Sequence, residues 1–170
     1  MGVEIERKFL VCSDAWRGHV EHSERIAQGY LNDMAAVRHG GQKASTRVRI
    51  AGDRAFLNIK SAERGQSRQE FEYAIPLDDA QALLALCVGG RIEKVRHHVR
   101  HGGWLWEIDV FEGENTGLLV AEIELPSFDA TFEKPAWAGP EVTDALRYYN
   151  LALAERPYSQ WQPEEKSGCS

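Results

Sequence analysis

The sequence predicts an α+β protein that is mainly antiparallel β, an eight-stranded closed β-barrel with peripheral helices. Three observations support this fold class. Charged and apolar residues alternate along several short segments, which is typical of strands with one polar face. Glycine-containing turns such as Gly52-Asp53 and Gly102-Gly103 separate neighbouring segments and indicate hairpins. The helical stretches are few and short, so we expect the helices to decorate the sheet.

Each element follows from these patterns in chain order. The predicted strands occupy residues 3–11, 25–31, 45–51, 54–61, 68–76, 91–100, 104–112 and 118–125. Helices are predicted at 13–19 after an Asp or Ser cap, at 78–88 before Gly89-Gly90, at 127–133 and at 141–154. Residues 32–44 and 62–67 are predicted loops. Residues 156–170, rich in charge and proline, predict a flexible tail, so the domain is expected to span 1–155.

One strand face is unusually charged. In the first strand Glu4, Glu6 and Lys8 fall at spacing two and therefore share a face. Across the strands this face collects Glu4, Glu6, Glu70, Glu72, Glu107, Asp109, Glu122 and Glu124, together with Lys8, Arg47, Arg49, Lys60, Arg68, Lys94 and Arg96.

Two readings of this face stay open: the solvated side of a two-faced sheet, or the lumen of a barrel whose apolar outside is covered by helices. The near absence of Thr, Ser and Gln favours the lumen. A lumen lined by opposite charges is costly unless a ligand and metal ions complete the pairing. The pattern therefore suits a site for a polyanion and a divalent cation.

The bulk properties narrow the function classes. The chain has 170 residues, enough for one domain with a sizeable core, and its formal net charge of −6 argues against a general nucleic-acid binder. An apolar run of 18 residues is absent, and the start of the chain does not read as a secretory signal, so we expect no membrane association. The widely spaced Cys12, Cys87 and Cys169 predict free thiols in a reducing cytoplasm.

Nine motifs follow one another along residues 3–153. They are VEIERKFLV (3–11), QGYL (28–31), RVRI (47–50), IKS (59–61), SRQEFE (67–72), IEKVR (92–96), WEIDVF (106–111), VAEIEL (120–125) and RYYNLA (147–152). A lone Glu-x-Glu-x-Lys is a weak signal, but the full ordered set is specific. It resembles the CYTH superfamily, the triphosphate tunnel metalloenzymes, and among them the short bacterial inorganic triphosphatases.

The resemblance implies a tunnel that binds a linear triphosphate with Mg²⁺ (or Mn²⁺) as cofactor. The positions that match the family's phosphate-binding bases are Lys8, Arg47, Arg49, Lys60 and Arg96. Those that match its metal-binding carboxylates are Glu4, Glu6, Glu122 and Glu124, with Glu107 and Asp109 nearby. Lys94 and Tyr30 correspond to the groups that orient the attacking water. Relatives often carry lysines in the segment 148–151, where this chain has Tyr148, Tyr149 and Leu151.

The leading hypothesis is metal-dependent hydrolysis of inorganic tripolyphosphate to pyrophosphate and orthophosphate. Three alternatives stay open: a class IV adenylate cyclase, a thiamine triphosphatase, and a non-catalytic module that binds polyphosphate. The expected partners are tripolyphosphate or another triphosphate and, as an open option, a second copy of the chain in a homodimer. Neither nucleic acid nor a membrane is expected.

Overall fold

The computed structural model describes residues 5–62, 69–166 and 168–169. Its strands are β1 (Ile5–Val11), β2 (Val20–Tyr30), β3 (Ala44–Ala51), β4 (Arg54–Ser61), β5 (Glu70–Ile75), β6 (Val88–His101), β7 (Trp104–Phe111), β8 (Leu119–Leu125) and β9 (Ala138–Glu141). Its α-helices are α1 (Met34–Arg38), α2 (Leu77–Leu84), α3 (Asn150–Glu155) and α4 (Pro163–Lys166). Short 3-10 helices lie at Ala15–His19, Gly113–Asn115, Leu146–Tyr148 and Tyr158–Gln160.

All nine strands belong to one antiparallel sheet, in the order β5-β4-β3-β2-β6-β7-β8-β1-β9. The predicted hairpins are confirmed: β3 and β4 meet at Gly52-Asp53, and β6 and β7 meet at Gly102-Gly103. Gly52 has φ of 63°, and the two glycines of the second turn have φ of 58° and 79°, a region that L residues rarely adopt. The glycines that predict these two turns therefore occupy the backbone conformations that the turns require.

The mainly antiparallel fold with few helices is confirmed, and it differs from the prediction in detail: in the described ranges, the sheet has nine strands and is not closed by hydrogen bonds. In the part of the chain that the structure describes, β5 and β9 are the two edges and do not pair with each other. The physical reason lies at β1, whose outer edge is occupied by β9. The amide of Cys12 donates to the Trp137 carbonyl, and the amide of Val142 donates to the Lys8 carbonyl. The first strand is thus no longer available to close the sheet.

Three other local predictions are wrong. Residues 127–133 form no helix, and the helix predicted at 141–154 is reduced to α3, because residues 138–142 are extended by their pairing with β1. The loop predicted at 32–44 contains α1, whose N-cap is Asp33: its Oδ1 accepts from the Ala35 amide at 2.9 Å.

The apolar faces of the strands form the core and so fix which side of the sheet is polar. Phe9, on the opposite face of β1 from Lys8, packs against Trp106, with ring centroids 5.6 Å apart. Trp106 in turn packs edge-on against Trp137 at 5.4 Å. Because successive strand residues point to opposite faces, this packing turns the charged residues of β1, β7 and β8 to the other side of the sheet.

The described part of the predicted tail packs against the body of the protein. Trp161 is buried, and its ring lies 5.0 Å from those of Tyr148 and Tyr158. Cys169 forms a disulfide with Cys12 at the end of β1, and Cys87 is free. The prediction of three free thiols is therefore wrong for this pair, because the folded-back tail brings together two residues that are remote in sequence. None of the helices in the described ranges is long and apolar enough to cross a membrane.

Candidate active site

The polar face of the sheet encloses a cavity of about 1040 Å³, which we call the charged cavity. Its lining includes most of the predicted site residues: Glu6, Lys8, Tyr30, Arg47, Arg49, Lys60, Lys94, Arg96, Glu122 and Glu124. It also includes Gln28, Asn58, Glu70, Glu72, Glu107 and Tyr149. Glu4 and Arg68, which the sequence places on the same face, lie outside the described residues.

Strand register brings these side chains together. On one side Arg47 and Arg49 of β3 stand opposite Tyr30 and Gln28 of β2. On the other side Lys8 of β1 stands opposite Glu122 of β8. Since directly opposed residues share a face of an antiparallel pair, alternate residues on each strand reach the same space. The alternation that predicts the strands therefore also builds the cavity.

Lys94 and Asp109, the most buried charges of the site among the described residues, form a triad with Arg96 on β6 and β7. Lys94 Nζ donates to Asp109 Oδ2 at 2.8 Å, and the two side chains are 1% and 3% exposed. Arg96 donates to both oxygens of the same carboxylate, with Nε 2.8 Å from Oδ1 and Nη2 2.9 Å from Oδ2. Its third nitrogen, Nη1, lies 2.6 Å from Glu107 Oε2. Charge-assisted forks of this kind fix the guanidinium in one orientation.

On the pKa of each of these groups, burial and ion pairing act in opposite directions. Burial lowers the pKa of Lys94 to about 8, and the nearby Asp109 carboxylate only partly offsets it. Burial alone would raise the pKa of Asp109, but Lys94 and Arg96 hold it well below its usual value. The carboxylate therefore stays ionised, whereas the amine can lose its proton near neutral pH.

Lys8 sits in a second cluster at the β1–β8 side of the cavity. Its Nζ lies 2.9 Å from Glu122 Oε1 and 3.8 Å from the centroid of the Tyr149 ring. Burial alone would raise the pKa of Glu122, but Lys8 and the other nearby bases bring it below its usual value. Burial, Glu6 and Glu122 raise the pKa of Tyr149 to about 12, so this phenol stays protonated. Its hydroxyl donates to the Thr143 carbonyl at 2.8 Å, which fixes the ring over Lys8.

Arg47 and Arg49 each carry a buried donor that no described residue uses. Their Nε atoms are buried and have no hydrogen-bond partner among the described residues. Burial lowers the pKa of Arg49, and the neighbouring Arg96 and Arg47 lower it further. Arginines crowded together with unused donors form a site for an anion with several oxygens. Tyr30, whose pKa is raised by burial, lies beside Arg47.

Lys60 differs from the other bases in its exposure. It lies near the end of β4, 38% exposed, and its Nζ is 3.8 Å from Glu70 Oε1. A loosely paired, half-exposed ammonium can move toward a ligand at little cost. The five bases predicted to bind phosphate thus line one cavity, although their roles stay predictions.

The carboxylates suit a divalent cation in part. Glu6 and Glu124 are directly opposed on β1 and β8, an arrangement that is destabilising for two like charges without a cation. The described residues contain no group of three His, Cys, Asp or Glu side chains that could hold a metal ion by themselves. Mg²⁺ usually takes one or two carboxylates and completes its shell with phosphate oxygens and water. The donor set therefore fits a metal ion that binds together with a polyphosphate.

The placement of Asp109 bears on its predicted role as a metal ligand. Both of its oxygens accept hydrogen bonds from Lys94 and Arg96, and it is not among the cavity-lining residues. Metal ligation competes with these bonds and stays a prediction.

Three residues of the cavity lining are absent from the site residues that the sequence predicts. Tyr149 reads as part of an apolar helix stripe, but the segment before α3 is not a regular helix and turns its ring over Lys8. Gln28 and Asn58 are 1% and 3% exposed, respectively, and are amides on the lining of the charged cavity. The only sequence signal for them is their parity with Tyr30 and Lys60 on the same strands.

The chain is similar to known proteins along most of its length. The sequence model of the CYTH domain family matches residues 2–158. An inorganic triphosphatase of Acetivibrio thermocellus is 42% identical over 163 residues, which cover 95% of this chain and 99% of that protein. An inorganic triphosphatase of Nitrosomonas europaea is 38% identical over 154 residues, 89% of this chain and 96% of that one. The crystal structure of an inorganic triphosphatase superposes with a TM-score of 0.72 at 36% identity, covering 91% of this chain and 95% of the other.

Proposed function

The chain belongs to the CYTH domain family, and on this premise we propose that it is a metal-dependent enzyme that hydrolyses inorganic tripolyphosphate to pyrophosphate and orthophosphate. The observation that carries the proposal is the composition of the charged cavity, in which arginines whose buried Nε donors have no partner among the described residues share one space with opposed carboxylates. The relatives named inorganic triphosphatase support the same substrate.

The bases bind the substrate in this proposal. Tripolyphosphate is a chain of three phosphoryl groups that carries several negative charges, so it needs donors distributed along its length. The proposed phosphate contacts are Lys8, Arg47, Arg49, Lys60 and Arg96. Arg47 and Arg49 offer forked donors, and Lys8 and Lys60 offer point charges that can follow the phosphate oxygens.

The carboxylates Glu6, Glu122 and Glu124 hold the proposed cation, together with Glu4, which lies outside the described residues. When bound, Mg²⁺ or Mn²⁺ would neutralise charge on the phosphate oxygens and help to fix the conformation of the substrate. Glu6 and Glu124 oppose each other directly on β1 and β8, so we propose that they are its principal protein ligands. Asp109 then serves mainly as the counter-ion that holds Lys94 and Arg96.

Hydrolysis needs an oriented water molecule and little covalent help from the protein. The water oxygen bonds to a terminal phosphorus while the bond from that phosphorus to the bridging oxygen breaks. The bridging oxygen leaves on pyrophosphate, and the two protons of the water end on orthophosphate, which balances atoms and charge. We assign the orientation of this water to Lys94 and Tyr30. A lysine whose pKa lies near 8 presents a neutral amine in a useful fraction of molecules at neutral to alkaline pH.

Parallel assays of product formation test the function. The purified chain is given tripolyphosphate, ATP or thiamine triphosphate, with Mg²⁺ or with EDTA, and phosphate, pyrophosphate and cyclic AMP are measured. We expect equal amounts of pyrophosphate and orthophosphate from tripolyphosphate, only with the metal. Cyclic AMP from ATP would favour the cyclase, and binding without turnover would favour the non-catalytic module. Action in the cytoplasm and a homodimer are proposed as well, and gel filtration tests the second.

A further inference from the structure

Asn58 is a buried amide among the charged side chains that line the charged cavity. It lies in the middle of β4 and is 3% exposed. Strand register places it between Arg47 of β3 and Glu72 of β5. A buried polar side chain in the interior of a strand requires partners for both ends of its amide.

The orientation of this amide is fixed by its neighbour. Asn58 Nδ2 donates to Glu72 Oε2 at 3.0 Å. An ionised carboxylate can only accept hydrogen bonds, so the nitrogen of the amide must face Glu72 and the oxygen must face the other way. The Oδ1 atom is buried and has no hydrogen-bond partner in the described part of the chain. An acceptor in this state costs free energy unless a ligand supplies a hydrogen.

Among the described residues, the other buried side-chain atoms of the cavity that lack a hydrogen-bond partner are donors. The Nε atoms of Arg47 and Arg49 and the Nε2 atom of Gln28 are all buried and unpaired among the described residues. Phosphate oxygens satisfy donors of this kind, but they cannot satisfy Asn58 Oδ1, because ionised phosphate oxygens are themselves acceptors. The ligand of Oδ1 must carry a hydrogen or a positive charge. The proposed cation is assigned to Glu6 and Glu124 on β1 and β8, neither of which neighbours β4 in the sheet, so we assign water to Oδ1.

We propose that Asn58 is a water-positioning residue, whose Oδ1 accepts a hydrogen bond from the water that attacks the terminal phosphorus, and that Glu72 is the positioning residue that fixes the amide. An amide oxygen is not a base at neutral pH, so Asn58 orients the water and does not take its proton. As in the reaction above, both protons end on orthophosphate and the bridging oxygen leaves with pyrophosphate. This inference rests on the proposed hydrolysis of tripolyphosphate.

The test compares kinetics and stability in one set of variants. Asn58→Leu keeps the size of the side chain and removes both polar ends, and we expect kcat to fall about 100-fold with KM within about 3-fold of wild type. Its melting temperature should not fall, because a buried acceptor is lost and the exposed Glu72 can turn to solvent. Glu72→Gln lets the amide of Asn58 turn over, since a glutamine can donate as well as accept. We expect this variant to lower kcat by about 10-fold, again with KM close to wild type.

Asn115 is the matched control. It is also a buried amide with an unpartnered nitrogen among the described residues, but its Oδ1 accepts from the Tyr158 amide at 2.8 Å and it is not part of the cavity lining. Asn115→Leu should lower the melting temperature and leave kcat and KM unchanged. These effects are the reverse of those expected for Asn58→Leu.

Three outcomes overturn the inference in distinguishable ways. If the wild-type chain does not hydrolyse tripolyphosphate, both the proposed function and this inference are wrong. If the wild type is active and kcat is unchanged in Asn58→Leu, the role of Asn58 is wrong but the proposed function is not affected. A raised KM at unchanged kcat would mean that Oδ1 instead holds the Arg47 guanidinium for phosphate binding. If Asn58→Leu does not fold, kcat in Glu72→Gln decides.

Discussion

Lys94 and Asp109 form a buried ion pair in which the pKa of each partner is lowered, but for different physical reasons. Nζ lies 2.8 Å from Oδ2, yet burial still lowers the pKa of Lys94 to about 8 while the pKa of Asp109 stays well below its usual value. Arg96 shares the carboxylate, so the one anion is divided between two cations. A lysine in this position can exchange its proton near neutral pH without losing its orientation.

The first prediction concerns the dependence of kcat on pH. The neutral form of Lys94 is populated as pH rises through its pKa of about 8, so kcat should rise with pH around that value and then level off. Lys94→Met should lower kcat about 100-fold and remove this rise. The measurement is kcat from pH 6 to 10 for both proteins. Ionisation of the substrate is common to both, so an identical rise in the variant would show that Lys94 is not the titrating group.

The second prediction separates phosphate binding from the chemical step. Arg47→Ala and Arg49→Ala remove donors that have no partner among the described residues, and KM should rise about 30-fold with a smaller change in kcat. Lys60→Ala should behave in the same way, and Tyr30→Phe should instead lower kcat. Steady-state kinetics of the four variants give the comparison. If Lys60→Ala lowers kcat more than Lys94→Met does, the water-orienting role belongs to Lys60.

The third prediction concerns the metal ion. Removal of divalent cations with EDTA should abolish turnover, and added Mg²⁺ should restore it. Because Glu6 and Glu124 oppose each other on β1 and β8, Glu6→Gln and Glu124→Gln should each raise the Mg²⁺ concentration needed for half-maximal rate about 10- to 100-fold. Glu114→Gln, in the turn after β7 and outside the cavity lining, serves as the control. Full activity in EDTA would contradict a site in which a metal ion binds together with the polyphosphate.

The fourth prediction concerns stability at low pH. The folded-state pKa of Asp109 lies below its usual 3.8, so its contribution to stability is fully present above that value and is lost as pH falls through the folded pKa. Asp109→Asn leaves two cations without a buried anion and should lower the free energy of unfolding by about 3–5 kcal/mol at pH 7. Urea denaturation from pH 7 to pH 2 should show a smaller loss of stability on acidification in the variant. If the free energy of unfolding falls equally with pH in both proteins, the lowered pKa assigned to Asp109 is wrong.

The strands and most of the charged cavity could be predicted because both depend on local alternation. A period of two determines which residues of one strand share a face, so Glu6 could be grouped with Lys8, and Arg47 with Arg49, without knowledge of the register. Hairpins such as the one at Gly52-Asp53 also depend on neighbouring residues alone.

Features set by contacts between distant residues could not be predicted. β9 has the sequence Ala-Gly-Pro-Glu, which shows no alternation, and it is extended because it pairs with the edge of β1. The roles of Asp109 and Asn58 depend on which residue stands opposite them on the neighbouring strand, and strand parity alone does not give the register. The packing of Trp161 and the Cys12–Cys169 bond depend on where the tail returns to the body.

The last prediction concerns the choice between tripolyphosphate and ATP. Tyr30 and Tyr149 are the aromatic residues that line the cavity within the described ranges, and both are engaged: Tyr30 lies beside Arg47, and the ring of Tyr149 faces Lys8 at 3.8 Å. An adenine therefore finds no free ring on which to stack, whereas both substrates offer the same three phosphates. We expect kcat/KM for tripolyphosphate to exceed that for ATP at least ~10-fold, about 1.4 kcal/mol in transition-state binding. Comparable values of kcat/KM, with cyclic AMP as the product from ATP, would establish a nucleotide site that these contacts do not provide.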